Sequence, residues 1–457
     1  MVPQLNESKS GNPWVFIPAL YFLEGIPYFI VSTVSVTMFK KMGVSNAEIG
    51  LWTSLITWPW ICKMLWGPLV EAHSTKRRWI IGTQLLVIAM ILFESFALVQ
   101  GGFLNPTLIV LTIMAFLSAT HDIAADGFYL LALSPEKQAY FVGIRSTAYR
   151  LANIICNGGL IYLAGTLEDP FPVHFPLLQG VTLQGGGMGF LAGRIDLFPN
   201  PSIPLGWQQV LWVALAVYSV LAVVNFFAMP QPKDDASRSE GFPFKEAFKE
   251  YFNQPHLLVI ILFILFYRFG ESMVVKMSNP FLLDELAKGG LGLSTSDVGF
   301  VGGVVGTSAL VVGGILGGMY IAKNGLKRSI WPMVLAMNIP IGLYVWAAWA
   351  QPDKVWASLV VGVDNFGYGF GFAAYMVYLM YLTEGSRYRT AHYAISTGLM
   401  ALGAMMAGIL SGYLQEALGY TNFFVATLGL SIPGMIVLLY LPLNEQGPQT
   451  QEQKTTS

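Results

Sequence analysis

The sequence predicts an all-α polytopic membrane protein with twelve transmembrane helices in two six-helix pseudo-symmetric halves. Three observations carry this expectation. The 457 residues are 54% hydrophobic and only 11% charged, where soluble chains run at roughly 25% charged. Twelve apolar runs approach or exceed the roughly 20 residues a helix needs to cross a bilayer. Short motifs also recur at a nearly constant offset of 249 or 250 positions. Gly43-Val-Ser-Asn-Ala-Glu-Ile-Gly50 returns as Gly292-Leu-Ser-Thr-Ser-Asp-Val-Gly299, and Gly67 with Arg77-Arg78 returns as Gly317 with Lys327-Arg328. Ile144-Arg-Ser-Thr147 has a fainter echo at Ala394-Ile-Ser-Thr397. One offset for three motifs implies two halves in parallel orientation: residues 1–229 and 255–457, joined by a linker at 230–254.

In chain order the expected spans are Pro13–Phe39, Ala47–Val70, Trp79–Val99, Leu104–Leu133, Ala139–Leu167 and Trp207–Met229 in the first half. The second half supplies Pro255–Leu283, Asp297–Ile321, Ile330–Ala350, Val355–Thr383, His392–Leu414 and Thr421–Leu441. The first run is too long for a signal-peptide core and shows no small-residue cleavage pattern, so it reads as a span. Two connections are long. Glu168 to Gly206 is rich in Gly and Pro, and Pro230 to Gln254 is polar with an amphipathic stretch, Phe244–Phe252, expected to lie along the membrane surface. Cys62 and Cys156 both fall in apolar runs, as small buried hydrophobes rather than a disulfide or metal pair. A net charge of −1 gives no sign of nucleic-acid binding.

Basic residues set the expected orientation. With both termini in the cytoplasm, fifteen of the Lys and Arg outside the spans face inward and five outward, the bias of the positive-inside rule. The 168–206 loop then faces the exterior or periplasm.

Charges inside the spans point to function, because ionisable groups at bilayer depth are costly and mark ion or substrate pathways. The acids are Glu24, Glu94, Asp122, Asp126, Glu271 and Asp364; the bases are Lys63, Arg145, Arg150, Arg268 and Lys276. Asp122 and Asp126, four apart in Ser118–Tyr129, share one helix face. Counting from the turn at Glu136, Asp126 matches Arg145 in depth, and Asp122 matches Arg150. These four are the expected coupling group, exchanging an arginine for a proton. Arg268 and Glu271 either pair with each other or meet substrate. His121 either packs or hydrogen-bonds substrate, and Asp364-Asn365 with Tyr368 could contact solute from the other half. The positions 250 after the two aspartates are Phe372 and Met376, so coupling is expected mainly in the first half. Gly25-Ile-Pro27 and Gly367-Tyr-Gly-Phe-Gly371 loosen their helices or let them pack closely.

The motifs Tyr21-Phe-Leu-Glu-Gly-Ile-Pro27, Lys63-Met-Leu-Trp-Gly-Pro-Leu-Val-Glu71 and Ala119-Thr-His-Asp-Ile-Ala-Ala-Asp-Gly127 resemble those of the AmpG-type muropeptide permease and acetyl-CoA transporter family of major facilitators. The resemblance is clearest over residues 18–150. It departs in His121, where the family usually has Gln, in Glu71, where Asp is usual, and in its twelve spans, where some muropeptide permeases have two more. It implies a major facilitator fold with spans one, four, seven and ten around a central cavity. Glu24, Lys63, His121, Arg268, Glu271, Asp364, Asn365 and Tyr368 are then candidate cavity residues, although Lys63 could simply snorkel. Gly67, Glu71, Arg77 and Arg78 match the cytoplasmic gate motif of major facilitators. The implied function is proton-coupled import of a polar, anionic or sugar-containing metabolite such as a muropeptide, by a monomer in a bacterial inner membrane. An acyl-CoA or drug carrier is the alternative within the class. An intramembrane enzyme or a non-transporting sensor is the alternative outside it, and no nucleophile motif or phosphate loop favours the enzyme. No cofactor or metal is implied.

Overall fold

A computed structural model describes residues 11–168, 202–231, 244–383, 386 and 388–442. Its ordered elements are all helical among these residues. Eight helices are long and apolar enough to cross a membrane, among them Pro13–Lys41 and Leu104–Ala132. One of the eight, Ala391–Leu438, merges two spans across Gly419, whose φ of 72° and ψ of 166° break the helix. Three less apolar spans complete the twelve: the second, the fifth with its two arginines, and the tenth at Lys354–Tyr381.

The second span is not the continuous helix expected over Ala47–Val70. It runs as Asn46–Leu55, Trp58–Cys62, a 3-10 turn at Lys63–Leu65 and Gly67–His73. Pro59 and Pro68 each sit in the first turn of a new segment, where a missing N–H costs little, whereas mid-helix they would break the ladder. The first span continues to Lys41 through a π-helical segment at Ile30–Val34.

The repeat has a structural meaning. Ser45 caps the helix at Asn46 by accepting from the Glu48 N–H at 3.2 Å, and Ser294 caps its counterpart through the Asp297 N–H at 3.1 Å. Gly43 and Gly292, which lead into these caps, both have positive φ, a region that suits glycine. The closing glycines of the two motifs pack equivalently. A Cβ on Gly50 would lie 2.8 Å from the Gly408 carbonyl oxygen, and one on Gly299 would lie 3.0 Å from that of Gly158. Gly158 and Gly408 are themselves 250 positions apart. The second span therefore crosses the eleventh, and the fifth crosses the eighth, through the same small-residue contact.

Each half encloses its own apolar core. One cluster of buried residues runs from Phe16 to Met229, and two others lie between Ile260 and Leu441. Gly25 lets the first and fifth spans approach, since a Cβ there would meet that of Ala152 at 2.7 Å. Gly367 and Gly369 do the same for the tenth span against backbone of the ninth and eighth. The helix Phe244–Phe252 buries Ala247 and Tyr251, with Tyr251 Oη 2.9 Å from Ser396 Oγ on the eleventh span, and leaves Lys245, Glu246 and Lys249 exposed. Residues 169–201 of the outer connection and 232–243 of the linker lie outside the described residues.

Most of the hydrogen bonds and ion pairs that join the halves gather at one end of the bundle, opposite the linker. Lys40 pairs with Asp284 at 2.7 Å. Asn46 donates to Gln415 at 2.6 Å and to Tyr420 at 3.0 Å, and Tyr420 donates to Asp284 at 2.6 Å. Glu168 accepts from Thr295 at 2.7 Å while pairing with Lys41 at 3.1 Å. With Cys62 and Cys156 replaced by serine, Asn46→Cys with Gln415→Cys is expected to cross-link on mild oxidation in native membranes. A shift on non-reducing gels reads the cross-link. Its absence would show that the halves part at this end in the resting protein.

Candidate functional site

Two groups of charged side chains emerge, and they sort the candidate residues differently from their depth in the sequence. The first lies within the N-terminal half. On the fourth span, Asp122 and Asp126 project from one face, as i and i+4 positions must. Asp122 is ion-paired and hydrogen-bonded to Lys63, which the 3-10 turn in the second span carries to it. Asp126 pairs with Arg145 at 2.7 Å and accepts from the Tyr21 hydroxyl at 3.2 Å. The Arg145 guanidinium also sits 4.3 Å over the Tyr21 ring, a cation–π contact. Glu24, one turn beyond Tyr21, is 8% exposed with Oε2 unpartnered, and it feels the charges of Asp122, Asp126, Arg145 and Lys63. The cluster thus holds three carboxyl groups against two cations. It grades from the buried Glu24 to Asp126, whose side chain is 42% exposed.

The depth-matched Asp126–Arg145 pair is present. The Asp122–Arg150 pair is not, and the reason is angular. Five residues advance a helix by about 140° beyond a full turn, so Arg150 leaves the face that Arg145 presents to the fourth span. Lys63 takes its place beside Asp122 instead of snorkelling. His121, 2% exposed, turns toward the third span, with Nε2 3.1 Å from Gln84 Nε2.

The second group surrounds a cavity of about 690 Å³ between the halves. Arg150, Arg268, Lys276, Asp364, Asn365 and Tyr368 are among its walls. Glu24, Lys63, Asp122, Asp126 and His121 are not. Arg268 donates to the Tyr368 hydroxyl at 2.5 Å and lies over the Tyr368 and Phe372 rings at 4.8 and 4.7 Å. It makes no ion pair with Glu271, three residues on. Lys276 donates to Thr53 Oγ1 of the second span at 3.0 Å, bridging the halves. Among the described residues no carboxylate is ion-paired with Arg150, Arg268 or Lys276. Three cations therefore line a cavity to which Asp364 adds the one carboxylate among its lining residues. The Asn365 amide is spent on the Val361 carbonyl at 2.9 Å. Tyr375, a second aromatic of the tenth span, is fully buried and donates to the Ile264 carbonyl.

Of the expected gate, Gly67 opens the helix Gly67–His73, with open space where a Cβ would stand. Arg77 donates to the Phe226 carbonyl at 2.8 Å, a contact inside the N-terminal half, and Arg78 is exposed. The side chain of Glu71 lies outside the described residues. Besides Lys276 with Thr53 at the cavity, the halves are bridged at the other end by Lys40, Asn46, Glu168, Asp284 and Tyr420. Sequence reasoning passed over them, although the repeated Gly43–Gly50 and Gly292–Gly299 motifs pointed at the place.

This architecture has known relatives. A bacterial homolog of the human lysosomal transporter Spinster, solved in an inward-facing and unoccupied conformation, superposes with a TM-score of 0.65 at 18% identity, covering 95% of both chains. The anhydromuropeptide permease of Escherichia coli K12 is 24% identical over 92% of this chain and 78% of its own. An uncharacterized protein of Haemophilus influenzae is 28% identical over 94% of each. The Major Facilitator Superfamily model matches residues 19–391. The two sets of six helices, the cavity between them and this match agree: the chain is a multi-pass membrane transporter and belongs to the Major Facilitator Superfamily.

Proposed function

We propose that this transporter imports an anionic, sugar-containing cell-wall metabolite, an anhydromuropeptide, and drives it with protons. The observation that carries the reading is the cavity wall: Arg150, Arg268 and Lys276 are not consumed by carboxylates. A muropeptide brings carboxylates for these cations and a sugar for aromatic walls such as Tyr28 and Trp60. Charge-assisted hydrogen bonds to arginine are the strong ones, so each cation adds both affinity and register. The likeness to the Escherichia coli permease supports the same solute class.

The N-terminal cluster is the coupling element in this reading. Three carboxyl groups facing two cations are neutral only when one proton is bound. Asp126 faces solvent and Glu24 is buried, so a proton entering at the rim can be passed inward. Arg145 and Lys63 each hold one aspartate while Glu24 carries the proton. By the distribution of basic residues, the linker end is cytoplasmic and the sealed end periplasmic, which makes this the inward-facing state of alternating access. The same wall of cations also fits an acyl-CoA, whose phosphates would use the three bases directly. Competition by coenzyme A in the uptake assay separates the two solutes.

The assay is uptake of labelled anhydromuropeptide into proteoliposomes with and without an imposed pH gradient. Accumulation that depends on the gradient is expected, and conversion of the solute without accumulation would sink the transport reading. Arg150→Gln and Arg268→Gln should each raise KM by about tenfold or more, the cost of losing one charged hydrogen bond. Asp122→Asn should retain exchange of labelled for unlabelled solute and lose gradient-driven accumulation. If full proton-driven uptake survives in that variant, Asp122 is not a coupling group. Lys63→Met leaves Asp122 with its counter-ion removed, so the purified variant should melt several degrees lower, and adding Asp122→Asn should restore most of the difference.

A further inference from the structure

Two carboxyl groups in the C-terminal half lie outside the N-terminal cluster of acids. Glu271 on the seventh span is fully buried, and neither of its side-chain oxygens has a hydrogen-bond partner. Asp364 on the tenth span is 1% exposed with Oδ1 unpartnered, and it lines the cavity. The two lie within electrostatic reach of each other. The groups facing them are Arg268 one turn before Glu271, Tyr368 beside Arg268, and Tyr344 from the ninth span, whose hydroxyl is hydrogen-bonded to Asp364 and lies 3.1 Å from Ser278 Oγ. Arg268, the cation nearest in sequence, is turned to Tyr368 and Phe372. Neither acid is in an ion pair among the described residues.

A buried carboxylate without counter-charge is strongly disfavoured, Glu271 without a hydrogen bond most of all, and two in reach of each other still more so. We propose that Glu271 and Asp364 form a second proton-binding site, in the C-terminal half, whose occupancy sets whether Arg268 is free to hold the anionic group of the solute. The link to Arg268 rests on the reading of the cavity given above; the proton site does not. With the protons in place the acids leave Arg268 to Tyr368 and the cavity. When a proton leaves to water through the open end, the carboxylate at Glu271 attracts the guanidinium one turn away, and the solute loses its contact. Only O–H bonds break and form in this step. The repeat positions of Glu271 and Asp364 are Tyr21 and Met114, so the two halves carry their proton sites at non-equivalent places.

The experiment uses the full-length protein in lipid. Infrared spectra at neutral pH, in water and in deuterium oxide, should show protonated carboxyl bands of which Glu271→Gln and Asp364→Asn each reduce the intensity. Monodispersity on size-exclusion chromatography confirms folding, and either variant alone suffices if the other fails to fold. Unchanged carboxyl bands would overturn the proton site. Binding of labelled anhydromuropeptide then tests the link. Wild-type affinity should fall with rising pH, each linked proton adding up to about tenfold per pH unit, and the Glu271→Gln affinity should fall less steeply by up to that one-proton slope. A pH slope in Glu271→Gln as steep as that of the wild type would overturn the competition for Arg268. Carboxyl bands that diminish in a protein with no muropeptide binding at all would uphold the proton site and reject the solute.

Discussion

Charge placed inside a bilayer must be matched by an opposite charge or by a proton, and the whole arrangement of this transporter follows from where that matching is incomplete. Around Asp122 and Asp126 it falls one cation short, with Glu24 left over. In the cavity it falls short in the other direction, with Arg150, Arg268 and Lys276 in excess over Asp364. A fully balanced interior would be more stable and would have nothing to carry. In the function proposed, the imbalance in the N-terminal half takes a proton and the imbalance in the cavity takes an anion. Linking the two requires only that both be filled in the same state.

The contacts that close the periplasmic end, in the orientation proposed, are of a kind that can be unmade. Asn46, Asp284, Gln415 and Tyr420 form a compact polar network joined to Lys40. Its members are hydrogen bonds with water as a ready alternative partner. Beneath it, the crossings at Gly50 with Gly408 and at Gly158 with Gly303 bring backbones together without interlocking side chains. Such surfaces separate as rigid bodies more easily than a knobbed apolar interface does. The large apolar cores lie inside each half, so rocking leaves them intact. Separate cores and a polar seam are what alternating access asks of a bundle.

Much of this was legible before any coordinates. The span count, the parallel halves and the candidate charges came from hydropathy, from an offset near 250 and from the rarity of ionisable residues in apolar runs. These signals survive in one dimension because the bilayer fixes span length and forbids stray charge. The Asp126–Arg145 pair was also within reach, since residues equally far from a tight turn lie at equal depth. Depth says nothing of the angle around a helix axis, and the expected partner of Asp122 failed for that reason.

Hydropathy, the repeat and the rare intramembrane charges thus specify the membrane class, the duplicated architecture and the residues able to do the chemistry. Packing in three dimensions divides that set. It brought Lys63 to Asp122 through a break at Pro59 and Pro68 that a hydropathy run conceals. It turned Arg150 into the cavity and moved Glu24 out of it. It also placed the seal between the halves at residues 127 to 374 positions apart, from Glu168 with Thr295 to Asn46 with Tyr420. Those choices depend on helix rotation and on contacts between distant segments, and neither leaves a periodic trace in the chain.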